Sequence, residues 1–181
     1  MDFIETGING LWVIQPKVFS DSRGYFFESY QKKYFLERGL NLEFVQDNQS
    51  LSSKNVLRGL HFQSPPFAQG KLVRVIKGSV LDVVVDIRQN SETYGHHFSV
   101  KLTEQNFRML WVPVGFAHGF LTLEDDTIFA YKCTEGYEKS SEQTILWNDL
   151  DLKIDWQVQD PILSEKDKMG TTFKDFVSPF L

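Results

Sequence analysis

One cysteine among 181 residues, Cys133, has no partner for an intrachain disulfide, so the chain must hold its fold without a covalent cross-link and fits a reducing compartment. No apolar run approaches the roughly 20 residues needed to cross a bilayer. The opening residues, Met1-Asp2-Phe3-Ile4-Glu5, lack the basic start and apolar stretch of a secretory leader. A cytoplasmic protein with no membrane partner is expected. A basic excess is missing too: the net charge is −5. That argues against nonspecific nucleic-acid binding, which needs a basic face, but leaves room for a small anion held by a few cations in a cleft. Also missing are βαβ alternation, an internal repeat and a linker. One domain over residues 1–181 is expected.

What is present is aromatic and β-forming. Sixteen phenylalanines and four tryptophans suit a β-rich core with an aromatic-lined cavity. Leu11 to Phe19 reads as a strand, Asp21-Ser22-Arg23-Gly24 as a turn and Tyr25-Phe26-Phe27-Glu28 as a returning strand. Glu28 is there either a solvated strand end or a contact from the rim of a cleft. Ser29 to Arg38 reads as the one helix, capped by Ser29, stopped by Gly39, with Tyr30, Tyr34 and Phe35 on one face. From Leu42 to Thr134 short strands alternate with glycine, proline and polar turns, the pattern of a sandwich or barrel. The last third reads as turns and short strands packed over the sheet.

The stretch Arg58-Gly59-Leu60-His61-Phe62-Gln63 stands out. Alternation puts Gly59, His61 and Gln63 on one face and Arg58, Leu60 and Phe62 on the other. If Arg58 shares a pocket with His61, the strand must bulge, and Gly59 is where it can. His118 lies in Pro113-Val114-Gly115-Phe116-Ala117-His118, the Pro-x-Gly-x-x-His spacing of the second cupin motif. Where metal cupins carry a His-x-His pair, this chain has His61 and Gln63, and an amide in place of an imidazole removes a strong ligand. A metal-free site is expected. Asp82 and Asp86 alternate with valines, so they form either a solvated face or, for Asp82, an orienting partner of His118. Tyr131 faces the same side as Phe129 and Cys133, either as a core tyrosine or as a proton donor to a cavity.

Seven short segments recur in order: Phe44-Val45-Gln46-Asp47-Asn48, Leu57 to Gln63, Gly70-Lys71-Leu72-Val73, Val83 to Arg88, Pro113 to Phe120, Tyr131-Lys132-Cys133-Thr134 and Pro161 to Asp167. Together they resemble the dTDP-4-dehydrorhamnose 3,5-epimerases from about Arg23 to Gly170. The resemblance implies a mainly β, cupin-type jelly roll with a few short helices, a homodimer, a dTDP-4-keto-6-deoxyglucose-type substrate, and no need for metal or nicotinamide. It implies His61 as base, Asp167, on a late loop, as its paired carboxylate, Lys71 beside the enolate oxygen and Tyr131 as acid. It implies substrate contacts at Arg58 and His118, and nucleotide or pocket contacts at Arg23, Glu28, Gln46, Asp47, Asn48, Tyr137, Glu142 and Lys166. The chain departs from the family pattern at Gly136 and Lys139, where an aromatic and a proline are usual, and at Gln157, where proline is usual. Three alternatives stand beside this reading: a single-carbon epimerase or ketoisomerase, a non-catalytic sugar-nucleotide-binding cupin, and a metal cupin.

Overall fold

A computed structural model describes all 181 residues. Thirteen strands run in chain order: β1 (Asp2–Glu5), β2 (Trp12–Gln15), β3 (Val18–Asp21), β4 (Gly24–Phe27), β5 (Gln46–Ser52), β6 (Leu57–Gln63), β7 (Lys71–Lys77), β8 (Ser79–Asp86), β9 (His97–Thr103), β10 (Met109–Val112), β11 (Phe116–Thr122), β12 (Thr127–Cys133) and β13 (Glu142–Thr144). Two short helices join them, α1 (Lys32–Leu36) and α2 (Glu165–Lys168). One sheet has the order β1-β2-β10-β7-β12-β5, the second β13-β6-β11-β8-β9, and β3 pairs only with β4. All these pairings are antiparallel. This is the expected jelly roll.

The two sheets face each other over an interior of Val73, Val75, Val84, Leu110, Phe120 and Phe129. β8 is buried along its whole length because both its faces are covered, which explains its near-continuous valine run. Behind the second sheet, Leu60, Phe62, Val83 and Val85 pack against Leu152, Trp156 and Phe180 of the C-terminal third. Behind the first, α1 drops Phe35 onto Ile14, Leu72, Met109 and Trp111. Phe35 is fully buried, and such burial contributes roughly 2–3 kcal/mol.

Three local expectations are corrected. Leu11–Phe19 is not one strand: Pro16 interrupts it between β2 and β3. The helix is shorter than Ser29–Arg38 and is capped by Gln31, whose extended backbone precedes it and whose side chain accepts the Lys33 N–H. Gly39, with a φ of +76°, still ends the turn. Asp167 lies on α2 rather than on a loop.

Candidate active site

The site begins with an irregular strand. Across β6 and β11, His118 stands opposite His61 and Phe120 opposite Arg58, so Gly119 alone spans both Gly59 and Leu60. That is a β-bulge, and it turns Arg58 into the same cleft as His61 while Leu60 and Phe62 stay in the core behind the sheet. Only glycine fits the bulge. Gly59 has a φ of +142°, and a Cβ there would sit 2.5 Å from the Gly119 Cα.

The cleft has a volume of about 340 Å³ and opens between the sheets. His61 Nε2 lies 2.6 Å from Asp167 Oδ1, and the carboxylate is 4% exposed. Burial pushes the Asp167 carboxyl up, but hydrogen bonds from His61, Ser164 and the Gly59 amide outweigh it and hold the group at about 2. Burial pulls His61 below its ordinary 6.5; the Asp167 hydrogen bond works the other way and Lys166 and Lys71 add to the lowering. The consistent state is a neutral imidazole donating its Nε2–H to an ionised Asp167. Nδ1 is then the nitrogen left to take a proton.

Tyr131 and Lys71 come from the facing sheet, on β12 and β7. Burial raises the Tyr131 phenol above its usual 10, with Cys133 and Glu142 adding to the rise and Arg58 opposing it. Burial lowers the Lys71 ammonium from 10.5; Cys133, Glu142 and Asp82 oppose this through charge, without a hydrogen bond. His118 is buried, and its Nε2 sits 2.9 and 3.0 Å from the two oxygens of Asp82. The solvated-face reading of Asp82 and Asp86 is therefore wrong. Both are fully buried, Asp82 against His118 and Asp86 taking bonds from Arg88, Ser91 and Thr93.

The rim is a chain of polar contacts. Lys166 Nζ lies 2.6 Å from Glu142 Oε1, and the Tyr137 hydroxyl donates to Glu142 Oε2 at 3.1 Å. A recess of about 290 Å³ adjoins the cleft, sharing Asn48, His61, Lys71, Tyr131 and Glu142 and adding Gln46 and Tyr137. Its wall is pinned by glutamines. Gln69 Nε2 donates to the Glu135 carbonyl at 2.7 Å, and Gln46 Oε1 accepts the Tyr137 amide at 2.8 Å. Gln63 Nε2 donates to the carbonyls of Phe67 and Gly136 at 2.6 and 3.0 Å, and its Oε1 accepts the Glu138 amide at 2.8 Å. Gln63 thus spends its amide on the loop at 136–138. No group of three His, Cys, Asp or Glu side chains is placed to hold a metal ion.

Of the residues singled out by sequence, His61, Lys71, Tyr131, Asp167, Asn48, Arg58, His118, Glu142 and Lys166 line the cleft, and Gln46 and Tyr137 the recess. Three stand outside. Asp47 is paired with Lys132 on the opposite face of β5, because it alternates with Gln46 and Asn48. Arg23 is at the tip of the β3–β4 hairpin, its side chain 87% exposed and bound to Asp21. Glu28 follows that hairpin and is exposed. Sequence reasoning missed Phe120 and Phe129, stacked at 4.1 Å in the cleft, although Phe129 shares the face of Tyr131. It also missed Ser164, although Ser164-x-x-Asp167 has the spacing of a capping box.

A jelly roll whose interior carries a carboxylate-held imidazole on one sheet and a protonated phenol and lysine on the other defines a class: a cupin-type enzyme built to move protons on a small polar substrate. The dTDP-4-dehydrorhamnose 3,5-epimerase family model matches residues 5–175. An enzyme of that name from Shigella flexneri is 51% identical over 176 residues, covering 97% of each chain. The crystal structure of one from Elizabethkingia anophelis superposes with a TM-score of 0.93 at 48% identity, covering 97% of each chain. A Legionella pneumophila epimerase solved in complex with dTDP-4-keto-L-rhamnose gives 0.93 at 46% identity, covering 97% of this chain and 94% of that one. The chain belongs to the dTDP-4-dehydrorhamnose 3,5-epimerase family.

Proposed function

We infer that this enzyme inverts C3 and C5 of dTDP-4-dehydro-6-deoxy-D-glucose to give dTDP-4-dehydro-L-rhamnose, in the synthesis of dTDP-L-rhamnose. The observation that carries the mechanism is the His61–Asp167 pair at 2.6 Å, with Tyr131 and Lys71 reaching the same cleft from the facing sheet. The ketone at C4 acidifies the hydrogens on both neighbouring carbons. Neutral His61 takes one through Nδ1, and Asp167 stabilises the imidazolium that forms. Negative charge then moves to the C4 oxygen, where the Lys71 ammonium stabilises the enolate more than the ketone. Tyr131, held protonated by its burial, returns a proton to the opposite face of the sugar. Arg58 and His118 bind the sugar diphosphate; arginine's planar fork suits phosphate oxygens. Gln46, Asn48, Tyr137, Glu142 and Lys166 frame the nucleotide.

The 181 residues act as one domain, and two copies form the working unit. The β3–β4 hairpin supports this, because it exposes Phe19, Tyr25 and Phe26 at 53%, 59% and 66% while pairing with neither main sheet. Burial of that hairpin against a second copy brings Arg23 and Glu28 within reach of the partner's cleft and accounts for their distance from their own. Sedimentation reads the dimer. The reaction is tested by coupling the enzyme to a 4-ketoreductase acting on dTDP-4-keto-6-deoxyglucose. A 6-deoxy-L-sugar nucleotide is expected. A product inverted at one carbon would instead indicate a single-carbon epimerase, and binding without turnover a carbohydrate-binding module.

A further inference from the structure

The carboxylate that holds His61 is itself held. Asp167 Oδ1 accepts from His61 Nε2 at 2.6 Å and from the Gly59 amide at 3.2 Å. Oδ2 accepts from the Ser164 hydroxyl at 2.6 Å and from the Ser164 amide at 3.3 Å. Four donors converge on one buried side chain. Ser164 is also the N-cap of α2, so the residue that caps the helix also holds the carboxylate.

This segment is stitched to the second sheet on both sides. Before it, Ile162 bridges to Val56: the Leu57 amide donates to the Ile162 carbonyl at 3.0 Å, and the Ile162 amide to the Asn55 carbonyl at 2.8 Å. After it, Thr171 bridges to Ile145: the Thr171 amide donates to the Thr144 carbonyl and the Leu146 amide to the Thr171 carbonyl, both at 2.9 Å. Gly170 permits that approach, since a Cβ there would lie 2.6 Å from the Leu146 nitrogen. The backbone of Ser164 is therefore in fixed register with the strand that carries His61. Ser164 also lines the cleft.

We propose that Ser164 is a positioning residue of the epimerase reaction, its hydroxyl fixing the Asp167 carboxylate in the orientation that aims His61 at the substrate. This rests on the reading of His61 as the base. Asp167 has one bonded oxygen for the imidazole and one for the serine. Without the serine hydroxyl Oδ2 keeps only the longer Ser164 amide bond at 3.3 Å, so the carboxylate is held less tightly and its charge is less dispersed on the side away from His61. The imidazole then holds its proton more tightly. Lys71 from β7, Lys166 and Asp167 from α2, Glu142 from β13 and His118 from β11 surround His61. Of these only Asp167 is bonded to the Ser164 hydroxyl, so a shifted profile is assignable to the lost bond.

The test is kcat and KM against pH for the intact enzyme and for Ser164→Ala, Ser164→Gly, Ser164→Thr, Asp167→Asn, His61→Asn and the Ser164→Ala/Asp167→Asn double variant. Glycine caps nearly as well as serine but has no hydroxyl, which keeps the test open if alanine unfolds. In Ser164→Ala and Ser164→Gly, kcat falls about tenfold with KM within about twofold of wild type. The acid limb of kcat/KM moves to higher pH, threonine restores both, and Ser164→Ala adds little to Asp167→Asn. Wild-type turnover and profile with only a lower melting temperature would reduce Ser164 to a helix cap and overturn the proposal. Full additivity with Asp167→Asn would overturn it too. Substantial turnover in His61→Asn would overturn the functional reading and this role with it.

Discussion

At the scale of single residues, the cleft sorts its titratable groups by partner and burial. A base must be unprotonated to act, and burial pulls His61 below 6.5. The acid limb of the kcat/KM profile therefore has its midpoint below pH 6.5; a midpoint above 6.5 would contradict this. Asp167 carries a stability term of the carboxylate sign. Its folded value of about 2 lies below the ordinary 3.8, so the folded state binds the proton less readily than the unfolded one. The group contributes about 2 kcal/mol above pH ~4 and loses it as pH falls toward 2. Urea unfolding of wild type and Asp167→Asn is expected to differ by about that amount at pH 7 and to converge near pH 2. His61 and Gln63 were legible from alternation and residue type, which left Asp82 open between a solvated face and a partner for His118; the structure decides for His118. The burial of Asp86 was not legible, because a carboxylate in an alternating strand reads as solvent-facing until Arg88, Ser91 and Thr93 are seen closing over it.

At the scale of elements, the bulge in β6 and the clamped loop after β12 shape the site. The glycine at position 59 marked where a bulge was possible, but only the pairing of β6 with β11 reveals that two residues oppose Gly119. α2 escaped the sequence because four residues give no helical period; the signal was the Ser164–Asp167 spacing alone. The loop at 135–139 lacks the family's usual aromatic and proline, yet Gln46, Gln63 and Gln69 bind its backbone at four points from Glu135 to Glu138. Those glutamines hold Tyr137 at the recess without the rigidity a proline would give. Gln63→Leu leaves those backbone groups unpaired and loosens the loop. KM is expected to rise about tenfold, the equivalent of one lost hydrogen bond, while kcat stays within about threefold. Steady-state kinetics check this, and an unchanged KM would show that the loop is held without Gln63.

At the scale of the whole molecule, the proposed mechanism draws its protons from two facing sheets. One sheet carries His61, held by Asp167 of α2, and the other Tyr131 with Lys71, so in the proposed mechanism a flat enolate between them is reached from both sides. A sandwich or barrel was legible from strand spacing, and the jelly roll from the resemblance. What was not legible is that Arg23 lies on, and Glu28 just after, a hairpin that hydrogen-bonds to neither main sheet, because the local pattern of a hairpin does not say what it pairs with. The central claim is that this cavity exchanges protons at two carbons through His61. It is tested most directly by NMR of dTDP-4-keto-6-deoxyglucose with the enzyme in heavy water, beside His61→Ala. Deuterium is expected at both C3 and C5 with the wild type, and exchange at least ~100-fold slower with folded, nucleotide-binding His61→Ala. Exchange at neither carbon in folded wild type, or undiminished exchange in His61→Ala, would contradict the account.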